Sequence, residues 1–70
     1  MKLFDVVIIK ADHPEHVITA GTTGVIVEIL DLPNKAYLVE VTNEQGETIV
    51  ELPLEVDELI INFTHDYQDQ

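Results

Sequence analysis

The sequence predicts a small all-β domain of five strands. Three observations carry that class: β-branched and aromatic residues come in short runs, turn-forming residues separate the runs at the spacing of sandwiches and barrels, and no stretch sustains a helical period. The runs cover residues 4–9, 24–30, 36–42, 47–52 and 59–63. The first opens on Phe4 and continues through Val6-Val7-Ile8-Ile9, residue types that suit a pleated, half-buried surface. A longer solvated loop over 11–23 follows, containing Asp12-His13-Pro14-Glu15-His16 and ending in Gly21-Thr22-Thr23. Gly21 suits a tight turn with positive φ, and Gly24 a bulge or close approach where the second strand starts. Asp31-Leu32-Pro33-Asn34-Lys35 and Asn43-Glu44-Gln45-Gly46 read as hairpin connections around the third strand. Pro53 closes the fourth strand, and Leu54-Glu55-Val56-Asp57-Glu58 reads as one helical turn before the last. This order of five short strands, long first loop and penultimate turn is that of a small SH3-like barrel. One domain over residues 1–63 with a polar tail over 64–70 is the expected organisation.

Composition bounds the function classes. The chain has 70 residues, enough for one small core, and a domain of this size buries only about 60% of its unfolded surface. Three basic residues stand against fourteen acidic ones, a formal charge of −11. The bases are Lys2, Lys10 and Lys35, scattered and without an arginine, so nucleic acid and anionic membranes are disfavoured as partners. There is no cysteine, which removes disulfides, thiol nucleophiles and thiolate metal sites. The opening apolar stretch, Val6 to Ile9, is too short for a signal peptide or membrane span, and a cytoplasmic location is expected. Charge is uneven: residues 1–35 hold five acids and three lysines (−2), whereas residues 36–70 hold nine acids and no base (−9). An acidic half of this kind promotes solubility and steers a basic partner.

Alternation along the hairpins locates a candidate surface, because successive strand residues face opposite sides. A first hairpin symmetric about Pro33 sets Ile29 opposite Tyr37, Val27 opposite Val39 and Val25 opposite Val41. A second closing around residues 43–46 adds Thr48, Val50 and Leu52 to that core face. The other face then carries two cross-strand rows, Glu28-Leu38-Glu51 and Ile26-Glu40-Ile49, a chequer in which no two carboxylates stand directly opposite. Ile26, Leu38 and Ile49 make an apolar patch rimmed by acids, the expected docking face for a protein partner or a second copy. Strong curvature that tucks these side chains under the first loop or the tail is the competing structural reading.

Chemistry is sparse elsewhere. Asp12, His13, Glu15 and His16 are metal-ligand types, but a proline-containing loop supplies no period to align them, and a third imidazole would have to come from His65. No metal or cofactor is therefore expected. Serine is absent, which excludes a Ser-His-Asp triad, and Gly21-Thr22-Thr23-Gly24 lacks the lysine and helix of a phosphate loop. Paired carboxylates lack a deep pocket to separate their pKa values. Asn62-Phe63-Thr64 matches a glycosylation sequon but reads as a strand end. No enzymatic activity is expected.

Phe4-Asp5-Val6-Val7, the stretch Gly21-Thr22-Thr23-Gly24-Val25-Ile26-Val27-Glu28-Ile29-Leu30, Tyr37-Leu38-Val39-Glu40-Val41, and Gly46-Glu47-Thr48 before the closing segment together resemble the small bacterial proteins of domain-of-unknown-function family 4926. The resemblance spans nearly the whole chain and implies the fold, an SH3-like barrel, without an activity. Some of those relatives are similar to small partners encoded beside other genes, which implies a toxin-neutralising role. His13-Pro14-Glu15-His16 with the stretch 21–30 is similar, over less than half the chain, to the non-catalytic variable chain of ferredoxin-thioredoxin reductase, which implies support of a catalytic partner. The expected function is thus an acidic accessory that binds a basic protein. The alternatives are a barrel subunit of an enzyme complex or, further off, a nucleic-acid-associated barrel.

Overall fold

Runs of Val and Ile two residues apart require one face of each strand to be covered, and among the described residues only the sheet itself is there to do it. The computed structural model describes residues 1–31 and 33–63, with backbone alone for Asn62 and Phe63; the polar tail expected over 64–70 lies outside the described residues. The strands are β1 (Val6–Ile9), β2 (Thr23–Leu30), β3 (Ala36–Thr42), β4 (Thr48–Leu54) and β5 (Leu59–Phe63). Two 3-10 turns interrupt them, at Pro14–His16 and Val56–Glu58. All paired neighbours are antiparallel, in one sheet of order β4-β3-β2-β1-β5. The described chain is all-β, with five strands and a short helical turn before the last.

Ten residues exposed by 5% or less form a single core cluster: Val7, Ile9, Ile18, Ile26, Tyr37, Val39, Val41, Leu52, Leu54 and Leu59. All five strands contribute to it. With no second sheet or long helix among the described residues, one sheet achieves this only by coiling over its own inner face. Gly24 makes the coil tight. A Cβ there would run into the Val39 side chain and approach the Glu40 carbonyl oxygen at 3.0 Å, so β2 and β3 meet at a position only glycine can occupy. The β3–β4 turn is held by Asn43, whose Oδ1 accepts the N–H groups of Gln45 and Glu47 at 2.9 Å each, with Gly46 at φ +83°.

Several boundaries differ from the sequence expectation, β2 starting one residue early at Thr23 and β4 one residue late at Thr48. β1 starts at Val6 because Phe4 and Asp5 together oppose Ile26: the Phe4 N–H donates to the Ile26 carbonyl at 2.7 Å and the Ile26 N–H to the Asp5 carbonyl at 3.0 Å. That is a bulge, with Phe4 at φ 68° in its left-handed position. β4 continues through Pro53 to Leu54, whose burial draws the strand past the proline; an edge strand tolerates the missing N–H. The helical turn shrinks accordingly to Val56–Glu58, where Glu58 Oε2 accepts the Glu55 N–H at 3.0 Å. The first loop is not simply solvated. His13 and Ile18 form a two-bond bridge (2.7 and 3.2 Å) around the Pro14–His16 turn, and Ile18 is buried in the core.

Candidate protein-binding face

Burial of Tyr37, Val39 and Val41 turns Leu38 and Glu40 to the outer side of β3, and burial of Leu52 and Leu54 does the same for Glu51 and Pro53 on β4. The ladders join these residues into two rows. Glu28 lies opposite Leu38 and Leu38 opposite Pro53; Val6 lies opposite Val25, Val25 opposite Glu40 and Glu40 opposite Glu51. Glu28, Leu38, Glu40 and Glu51 therefore share the outer face assigned to them.

Ile26 does not, and its placement is corrected: it is fully buried opposite Val39. Ile29 pairs with Tyr37 as expected, but a bulge at Val27 slips the register by one, so that Val39 meets Ile26 and Val25 meets Glu40. A one-residue slip exchanges the faces, which carries Ile26 into the core. The second hairpin is displaced by two residues instead, with Val39 opposite Leu52 and a further irregularity that leaves Ile49 unpaired. A slip of two keeps the faces, so Glu51 stays outside while its neighbours change. Leu38 meets Pro53 rather than Glu51, and Glu40 meets Glu51 rather than Ile49. Ile49 itself is 57% exposed.

The expectation that no two carboxylates stand opposite one another is overturned by this displacement. Glu40 and Glu51 face each other across the β3–β4 ladder, an arrangement that opposes pairing. The Thr48 hydroxyl donates to Glu40 Oε2 at 2.7 Å, which offsets part of the cost. None of Glu28, Glu40 and Glu51 has a basic group within 4.0 Å among the described residues. The face thus presents uncompensated negative charge beside Leu38 and Ile49.

The histidine loop is organised by its own polar groups. Asp12 Oδ1 accepts the Ala20 N–H at 2.7 Å, and half-buried His13 lies between Glu15 (Nδ1–Oε2, 3.9 Å) and Glu58 (Nε2–Oε1, 3.7 Å). Its Nε2 is buried and makes no hydrogen bond among the described residues. Among those residues no group of three or more His, Asp or Glu side chains is placed to hold a metal ion, and His65 lies outside them. Asp5 is the one buried charged residue of the described chain, and its Oδ2 accepts the Lys2 N–H at 2.9 Å. Sequence reasoning also passed over Ile60 and Ile61 on β5, 49% and 45% exposed. The run 59–63 read only as a strand, and the sheet order is what shows that they lie on an end strand. Among the described residues no helix is long and apolar enough to cross a membrane.

The family model described as Domain of unknown function (DUF4926) matches residues 3–61, which takes in the site residues on β2, β3 and β4 and the histidine loop. No curated protein and no solved structure matches the chain.

Proposed function

The chain belongs to the Domain of unknown function (DUF4926) family, and from that premise we propose that it is a non-catalytic, acidic binding module that captures a basic protein through the outer face of β2, β3 and β4. The observation that carries the reading is the Glu40–Glu51 pair, like charges opposite each other across the ladder with no base beside them among the described residues, flanked by Glu28 and by the apolar Leu38 and Ile49. A lysine or arginine from a partner relieves that repulsion, and the apolar side chains supply contact area at the same place. The net charge of −11 adds long-range attraction for a basic protein and repulsion for nucleic acid. The strand order supports an SH3-like barrel as the scaffold. The absence of serine and cysteine, and carboxylates spread over an open sheet face, support a binding rather than a catalytic role. Neutralising a basic partner, as an antitoxin does, or stabilising it, as an accessory subunit does, are the two roles such a surface serves, in a cytoplasmic setting.

The test is a mild-salt pull-down of the tagged chain from its native cells, with mass spectrometry and a size measurement on the eluate. One stoichiometric basic protein that leaves at high salt, and is lost with Leu38→Lys or Ile49→Lys in a folded variant, is the expected result. A lone monomer or a homodimer would refute it, as would co-purifying nucleic acid.

A further inference from the structure

The two ends of the sheet are built differently. β4 carries three devices that keep foreign strands from adding to an edge: the charged Glu51, Pro53 with no N–H, and the irregularity at Ile49. β5, at the other end, reads Leu59-Ile60-Ile61-Asn62-Phe63, with neither a charge nor a proline. Its one irregularity, the extra residue between the Val7–Ile61 and Val6–Phe63 pairs, lies at its far end. Ile60 and Ile61 are about half exposed.

The backbone of β5 faces outward in a defined pattern. The Lys10 N–H donates to the Glu58 carbonyl at 3.0 Å, which makes that pair a hydrogen-bonded one. Antiparallel pairs alternate, so Ile8 and Ile60 form the next bonded pair, whereas the Ile61 N–H and the carbonyls of Leu59 and Ile61 point away from β1. The Leu59 N–H is occupied by the Val56 carbonyl. Glu55, Asp57 and Glu58 stand immediately before this edge.

We propose that the edge of β5, unpaired among the described residues, receives a β-strand from the basic partner, extending the sheet by one strand. The inference rests on the protein-binding reading and names its mode: main-chain bonds to Leu59 and Ile61 give affinity, and alternate side chains of the incoming strand pack on Ile60 and Ile61. Charge selects the occupant. A second copy would bring another −11 to the contact, whereas lysines on the incoming strand meet Glu55, Asp57 and Glu58.

A capped six-residue peptide of alternating valine and lysine is the probe, followed by backbone amide NMR and hydrogen exchange of the full chain. Shift changes and slowed exchange concentrated at residues 59–63, with β4 unaffected, are expected. Ile61→Pro removes an N–H outside the ladder, so the fold survives, while peptide affinity falls about tenfold, the loss of a backbone hydrogen bond with its packing. Ile61→Lys, which keeps the amide but adds a repelling charge, weakens binding as well. Effects centred on Glu28, Glu40 and Glu51 with Ile61→Pro harmless would overturn strand addition and leave the binding module standing. No effect of the peptide would overturn strand addition too, with the pull-down deciding the module separately. A salt-dependent homodimer dissolved by Ile61→Pro would overturn the basic occupant.

Discussion

Val17 ends the Pro14–His16 turn at φ 58°, ψ 40°, a left-handed conformation in which its N–H donates to the Pro14 carbonyl at 3.1 Å. Glycine or asparagine usually fills such a position, and a β-branched residue there is a genuine outlier. The conformation costs an L-residue roughly 1–2 kcal/mol, with β-branching toward the upper value. Val17 recovers almost none of it, since it is 91% exposed and full burial of such a side chain would give only about 2 kcal/mol. Val17→Gly removes the strain and adds about 0.4–1 kcal/mol of unfolded-chain entropy. The net expectation is a gain of about 1 kcal/mol, or a Tm rise of roughly 4–8 °C for a domain of this size. Val17→Asn moves in the same direction, while Val17→Ala keeps the left-handed cost and sheds only its β-branched share, a smaller gain. Thermal and urea unfolding followed by circular dichroism measures all three. A lower Tm for Val17→Gly, or an equal gain for Val17→Ala, would show that the strain argument is wrong.

Other substitutions probe register and charge. Ile26→Lys buries a charge in the core and should cost more than about 4 kcal/mol, whereas Ile49→Lys at an exposed bulge should stay within about 0.5 kcal/mol; similar melting of the two would refute the Val27 bulge. Gly24→Ala forces a methyl against Val39 and the Glu40 carbonyl, with an expected loss of about 1–3 kcal/mol in denaturant unfolding. An unchanged midpoint would mean β2 and β3 are not so close. Glu51→Lys turns the cross-strand repulsion with Glu40 into attraction and should stabilise by about 0.2–1 kcal/mol at low salt. The gain should shrink on going to 1 M salt, and a destabilised variant would contradict the pairing.

The fold was legible because its signals are local. Strand runs at 36–42 and 59–63 coincide with β3 and β5, and the turn residues Asn43 and Gly46 act where their chemistry predicts. The candidate face was legible only in part. Glu28, Leu38, Glu40 and Glu51 keep their side, but Ile26 changes side because the bulge at Val27 depends on how β2 coils over the core, which no residue type announces. The same holds for Phe4, an aromatic in the left-handed place of a bulge where glycine is usual, and for Ile18, drawn into the core by the backbone bridge to His13. Leu54 was assigned to a turn because Pro53 precedes it, and only the sheet order shows that this proline lies on an edge.

The first strand has two partners, one next to it in the chain and one at the far end of the described sequence. Synthesis therefore delivers β1 long before its second neighbour exists. Until Leu59–Phe63 arrive, Val6–Ile9 present an uncharged, β-prone flank with nothing alongside, the kind of segment that seeds aggregation. A chain cut short after the penultimate turn is left in that condition permanently. Pairing of β1 on its second side thus waits for a late event, and contacts between residues so distant in sequence set a slow pace for reaching it.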